Sequence, residues 1–296
     1  MVTGGLGFVG RHLVTALLAQ GHEVVSYNRD FSVSGENVTA VQGELFDFPR
    51  LVRTLQQHRI EAIIHTAAMS HPELSIDLPV TTFAANVTGT VSLFEAARMA
   101  EVGKVVNFSS EVVYGNLEPG PVDEMSPLRP TTPYGVTKVS NELLADVYGL
   151  RYGLHVPSLR IAEIYGPGNP MPAFVKDILI AAVRGVPFRL DYGGDHPFQY
   201  VHVDDVVTAA ISALSAPAGA YNITGHERVT LREVASLVEE IVPGADIRID
   251  GGFISSLDRQ AKWDTSKAQR VLGFQPRWSL KEGLAQYATW LVDHPY

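Results

Sequence analysis

Gly4-Gly5-Leu6-Gly7-Phe8-Val9-Gly10 follows the short run Met1-Val2-Thr3 and opens an amphipathic stretch at 11–20. Glycine in a strand–turn–helix setting serves three needs: a tight turn, close backbone approach to a pyrophosphate, and close packing of helix on strand. The helix that follows offers free N–H groups and the positive end of its dipole to the anion. A glycine triad alone is weak, but in this setting it predicts a dinucleotide site. Gly4, Gly7, Phe8, Val9 and Gly10 are placed against the cofactor. Gly21 suits the end of the helix, where a positive φ is common.

Outward from this turn, strand-like runs at 24–27, 38–42, 62–65, 104–109 and 155–160 alternate with helix-like runs at 50–58, 81–100 and 134–152. Such alternation implies a parallel sheet covered on both faces. The expected fold is therefore α/β: a Rossmann-type doubly wound parallel sheet with a smaller mixed C-terminal substrate domain. Breaker clusters at 166–172 and 193–197 mark the change of character. Beyond them come a strand at 200–203 and a helix at 204–214. Thr230-Leu231-Arg232-Glu233 and Ser279-Leu280-Lys281-Glu282 are capping-box patterns that start two late helices. Residues 1–160 with 199–220 are assigned to the dinucleotide domain, and 161–198 with 221–296 to the substrate domain. Only three residues precede Gly4, fewer than the roughly five or six of an ordinary strand. This leads us to expect a native start upstream of Met1.

Composition narrows the function. The chain has 296 residues, 46% of them hydrophobic, enough for one large or two modest domains. A net charge of −9 gives no general attraction to nucleic acid or anionic membranes, so neither is an expected partner. With no cysteine, disulfides and thiolate metal sites are excluded, and no metal is expected. No apolar run spans a bilayer and no signal peptide opens the chain, so the cytoplasm is the expected location.

The end of the second strand should read the adenosine ribose. An acidic residue there signals NAD, whereas arginine accommodates the 2′-phosphate of NADP. The run is Tyr27-Asn28-Arg29-Asp30, with Asn28 at the expected carboxylate position. Arg29 favours NADP over NAD, against the presence of Asp30.

Tyr134-Gly135-Val136-Thr137-Lys138 puts a phenol and an ammonium at i and i+4, on one helix face. The ammonium favours the phenolate, which lowers the tyrosine pKa toward usable acid–base chemistry. Pro133 suits the helix start. Ser109-Ser110-Glu111 closes the strand-like run at 104–109, and ligands of open parallel sheets bind beyond the carboxyl ends of strands. The Ser110 hydroxyl is positioned there to bond a substrate oxygen. The three features together are far more specific than any one.

The segments TGGLGFVG (3–10), HTAA (65–68), NVTGT (86–90), SSEVVYG (109–115), YGVTK (134–138), YGPG (165–168) and VHVDDV (201–206) resemble those of the extended short-chain dehydrogenases/reductases. Within these the chain is similar to the NAD-dependent epimerase/dehydratase group, over essentially its whole length. The resemblance implies an enzyme in which Tyr134 is the acid/base, Lys138 holds the nicotinamide ribose and Ser110 positions the reacting oxygen. It places Glu44, Leu45, Ala67, Ala68, Asn86 and Ser109 along the cofactor cleft, and His71 on the substrate side. It also implies a homodimer through the helices at 81–100 and 134–152.

The chain departs from the family on the substrate side. Nucleotide-sugar dehydratases carry Thr-Asp-Glu where this chain has Ser110-Glu111-Val112, so the second carboxylate is absent and a 4,6-dehydratase is disfavoured. Glu111 is equally an auxiliary acid/base or a loop carboxylate. Glu163 stands where nucleotide-sugar enzymes have asparagine, Phe198 where they have arginine, and Ile254 near another expected arginine. A diphosphate in a partly desolvated cleft needs fixed cations, above all arginine. The expected substrate is therefore a sugar-like polyhydroxylated molecule without a nucleotide diphosphate, oxidised or epimerised by hydride transfer. The alternative is a nucleotide-sugar 4-epimerase of the UDP-glucose type whose diphosphate site is rebuilt, with Arg160, Arg189 or Arg259 turned inward. A non-catalytic dinucleotide sensor, the reading from another class, would be expected to lose Tyr134 or Lys138, and both are present.

Overall fold

The structure is a computed structural model and describes residues 1–30, 38–117 and 120–294. Its strands in chain order are β1 (Val2–Thr3), β2 (Val24–Asn28), β3 (Val38–Gln42), β4 (Ala62–His65), β5 (Lys104–Phe108), β6 (Pro157–Ile161), β7 (Glu163–Tyr165), β8 (Phe188–Leu190), β9 (Pro197–His202), β10 (Gly219–Ile223), β11 (Arg228–Thr230) and β12 (Ile247–Ile249). Seven of them form a parallel sheet in the order β10-β6-β5-β4-β1-β2-β3. The winding reverses between β1 and β4, and that switch point is where such sheets hold ligands.

Side chains alternate across a strand, and the strands here are apolar at both parities. Ile63 and Val105 therefore join one core, with Leu51, Phe94 and Tyr148 from the helices Phe48–Gln57, Gly89–Met99 and Pro133–Tyr152. Their neighbours Ile64 and Val106 join the opposite core, with Leu13 of Phe8–Ala19 and Val206 of Val203–Ala213. A third core lies in the C-terminal part, under the helices Phe174–Arg184, Leu231–Ile241 and Leu280–Asp293. Both expected capping boxes form there, on Thr230/Glu233 and Ser279/Glu282.

Three local differences from the sequence reading matter. β1 has two residues yet pairs on both sides, Thr3 opposite Tyr27 and His65. The helical run at 81–100 is interrupted by a π-turn, Ala84–Thr88, between Pro79–Phe83 and Gly89–Met99. The stretch 199–220, assigned whole to the dinucleotide domain, is divided. β9 joins the small sheet β11-β9-β7, because Phe198 and Tyr200 face the third core, while the helix Val203–Ala213 packs on the large sheet. β10, which crosses the expected boundary at 220, is the edge strand of the large sheet. Among the described residues no helix is long and apolar enough to cross a membrane.

Candidate active site

One cavity of about 820 Å³ runs from the glycine turn, past the ends of β4 and β5, to β7 and β9. At its first end Gly4 takes φ +71°, which only glycine adopts without strain. A Cβ on Gly10 would run into the carbonyl oxygen of Gly4. The helix Phe8–Ala19 begins at Gly7 with no side-chain cap, so its first amides stay open toward the cavity. A cradle that admits only backbone, facing an uncapped helix start, fits a dinucleotide pyrophosphate.

Asn28 lines this end but its side chain is engaged: Oδ1 accepts from Leu6 N at 2.9 Å and Nδ2 donates to Ser26 Oγ at 2.9 Å. Arg29 is largely exposed, with Nε 3.9 Å from Asp30 Oδ2. Glu44, Leu45, Ala67 and Ala68 line the cavity as expected. Asn86 does not. It is buried in the π-turn, where it accepts from Met69 N at 2.8 Å and donates to Met69 O and Thr137 Oγ1, both at 3.1 Å. Its amide bonds the backbone of the wall at Met69.

The middle of the cavity holds Ser110, Tyr134 and Lys138 together. Thr132 caps the helix Pro133–Tyr152 through Gly135 N at 3.1 Å, and Ser75 Oγ accepts from Tyr134 N at 3.0 Å. These bonds fix the helix start beside the end of β5. The Ser110 hydroxyl lies beside the Tyr134 phenol and favours its ionised form. The expected lowering of the phenol pKa is not what this geometry gives. Burial raises it well above the ordinary tyrosine value; the neighbouring Ser110 hydroxyl opposes the rise and the carboxylates of Glu111 and Glu163 add to it. The Lys138 ammonium, 5.4 Å from the centre of the Tyr134 ring, donates to Phe108 O at 2.5 Å. Burial pulls its pKa down to about 8, against the field of Glu142.

Ser109 contributes to the wall, but its hydroxyl turns inward and donates to Glu142 Oε1 at 2.5 Å. Glu142 in turn receives Arg160 Nη2 at 2.7 Å, and Arg160 also reaches Tyr114 and Glu124 O. Glu142 and Arg160 lie outside the cavity lining, and their pairing removes Arg160 as a phosphate ligand. Arg189 pairs with Asp246, and Arg259 lies over the Phe253 ring, 5.1 Å from its centre. Neither lines the cavity.

The far end gathers His71, Glu111, Glu163 and Phe198 with Tyr200, Ile254 and Leu257. Tyr200 was legible: it stands two residues from Phe198 on a strand, hence on the same face. Ile254 was marked only by its place near an arginine expected from the family resemblance, and Leu257 carries no signal, because a loop brings it in. Among the described residues no His/Asp/Glu group is arranged to hold a metal.

A Rossmann sheet with a glycine cradle and a Ser–Tyr–Lys cluster at its carboxyl edge defines an enzyme of the extended short-chain dehydrogenase/reductase class. A profile of the NAD dependent epimerase/dehydratase family matches residues 1–224, and the chain belongs to that family. It is 33% identical over 302 residues to a UDP-glucose 4-epimerase of Mycolicibacterium smegmatis, covering 97% of this chain and 96% of that protein. It is 31% identical over 315 residues to a dTDP-glucose 4,6-dehydratase of Streptomyces antibioticus, covering 99% and 92%. Among solved structures it resembles the Thermus thermophilus UDP-glucose 4-epimerase complexed with NAD, with a TM-score of 0.89 and 29% identity, covering 100% of this chain and 99% of that one.

Proposed function

We propose that the chain oxidises a hydroxyl of a nucleotide-diphosphate sugar by hydride transfer, in the manner of a 4-epimerase. The Ser110–Tyr134 pair, facing a cavity continuous with the glycine cradle, carries this reading. A bound nicotinamide would supply the hydride acceptor. Tyr134 takes the hydroxyl proton, Ser110 orients the oxygen, and Lys138, released from the Phe108 carbonyl, favours the phenolate. Gly4, Gly7, Phe8, Val9 and Gly10 hold the pyrophosphate. Arg29 favours NADP by charge alone; the carboxylate of Asp30 beside it and the NAD-bound relative favour NAD, which we take as the cofactor.

The relatives support a nucleotide sugar over the diphosphate-free substrate suggested by Glu163 and Phe198. A physical route exists without the missing arginines. The helix Phe174–Arg184 starts at Ala173 with no side-chain cap, and Ala173 and Phe174 line the cavity. Its open amides suit a diphosphate. Asp177 in its first turn also lines the cavity and, with Glu163 and Phe198, favours the second reading, a substrate lacking the diphosphate. Calorimetry with UDP and dTDP at saturating NAD separates the two. Micromolar binding supports the first reading, and no binding alongside oxidation of a free sugar supports the second. Absorbance of reduced nicotinamide then distinguishes net dehydrogenation from epimerisation, which leaves none.

We also propose a homodimer. Val136, Leu143, Val147 and Leu150 form an exposed apolar stripe on the helix Pro133–Tyr152, beside exposed Val80 and Phe83. Sedimentation of Leu143→Lys/Val147→Lys should give a monomer where the parent chain gives a dimer.

A further inference from the structure

Glu163 starts β7 and stands opposite Tyr200 of β9 in register. Glu111 opens the 3-10 turn Glu111–Val113 directly after Ser110. Both line the far end of the cavity, and Glu111 lies in the field of Glu163. Neither is neutralised by a neighbour. Glu111 Oε2 is wholly buried without a hydrogen-bond partner, and no described group donates to Glu163. The nearby cations are occupied: Lys138 gives its ammonium to the Phe108 carbonyl, and Arg160 is bound to Glu142. Asp177 also lines this cavity, and Asp258, already held by Asn116 and Thr131, adds its negative field at Glu111. Burying carboxylates without partners is costly, and a ligand that supplies the missing cation recovers that cost on binding.

The same wall carries an aromatic pair. The Phe198 and Tyr200 rings are stacked with centroids 5.4 Å apart, and both line the cavity. Aromatic faces beside carboxylates attract ammonium groups and offer nothing to phosphate. We propose that Glu111 and Glu163, with the Phe198–Tyr200 pair, receive an ammonium group carried by the substrate, so that the sugar is an amino sugar. This rests on the nucleotide-sugar reading only for where the rest of the substrate lies. In the ligand-free state burial holds Glu111 well above the usual carboxylate range and Glu163 at about 7, so an arriving ammonium displaces protons from the pair.

The test is calorimetry on the NAD-loaded full chain at pH 7, with UDP-glucose and its 2-, 3-, 4- and 6-amino analogues, in two buffers of different ionisation enthalpy. At least one amine analogue should bind about tenfold or more tighter than UDP-glucose, the scale of a hydrogen bond to a charged group. Its heat should depend on the buffer, reporting proton release. Glu163→Gln and Glu111→Gln, made singly, should each reduce the amine preference; if either variant misfolds, the other and the buffer dependence still decide. If no amine analogue outbinds UDP-glucose, or the preference survives in both variants, the proposal is wrong. Failure of UDP itself to bind overturns the nucleotide reading alone. Glucose and its four amino analogues, titrated at millimolar concentration, then decide the ammonium site by the same criteria.

Discussion

The two ends of the cavity are made of different material. At the glycine end the cradle is backbone, and the Asn28 side chain is engaged with Leu6 N and Ser26. At the β7–β9 end the walls are side chains: Glu111 Oε2 is buried without a partner, and the Phe198 and Tyr200 rings are stacked. A backbone cradle is set by local chain geometry and tolerates little change. A side-chain wall is set by single residues and can change its ligand by substitution. One fold can thus keep its cofactor while its substrate varies.

Between the two ends stands the chemistry, and its removal should give the largest effect. Tyr134→Phe is expected to lower turnover by about 10²–10⁴-fold while NAD still binds, as stopped-flow hydride transfer and calorimetry would show. Retained turnover would move the acid/base to the carboxylate end.

Next is the buried network behind the wall at Ser109. Glu142→Ala leaves Arg160 an unpaired buried charge and the Ser109 hydroxyl without its acceptor. Denaturant unfolding should show a loss of about 3–5 kcal/mol. A loss below about 1 kcal/mol would mean that water reaches Arg160.

Gly10→Ala sharpens the contrast at the glycine end. The new Cβ meets the Gly4 carbonyl, and overpacking of this kind typically costs about 1–3 kcal/mol. NAD affinity should fall by about ten- to hundredfold, with little change in the binding of UDP. An equal loss for both ligands would show that the ends are coupled.

The carboxylate end has its own signature in pH. The Glu163 pKa is raised in the folded state to about 7, from an ordinary value of 4.5. Between these values the folded chain holds more proton than the unfolded one, so stability falls as pH rises from about 4.5 to about 7. Glu163→Gln should flatten that slope in urea midpoints taken across the range. His65, buried between Thr3 and Thr90 and held neutral with its pKa lowered to about 3, works the opposite way below pH 6.5 and is present in both proteins.

The smallest effect is expected at Arg29. It is exposed and faces Asp30, so Arg29→Ala should change NAD affinity by less than about fivefold. A tenfold loss for NADP alone would return NADP to first place.

The glycine turn, the strand–helix alternation and the Ser110/Tyr134/Lys138 spacing determined the fold and the central site without coordinates. They are local patterns with fixed periods, 2 for strands and 3.6 for helices, so neighbours in sequence are neighbours in space. By position Asn86 reads as a cofactor contact; only the packed π-turn decided that its amide closes the wall. The acidity of Tyr134 reads from the lysine one helical turn away, but desolvation and two distant carboxylates decided its direction. The pairing of Glu111 with Glu163, the diversion of Arg160 to Glu142 and the entry of Leu257 all cross long stretches of chain. Their energies depend on burial and on which groups meet, and only the assembled tertiary structure decides both.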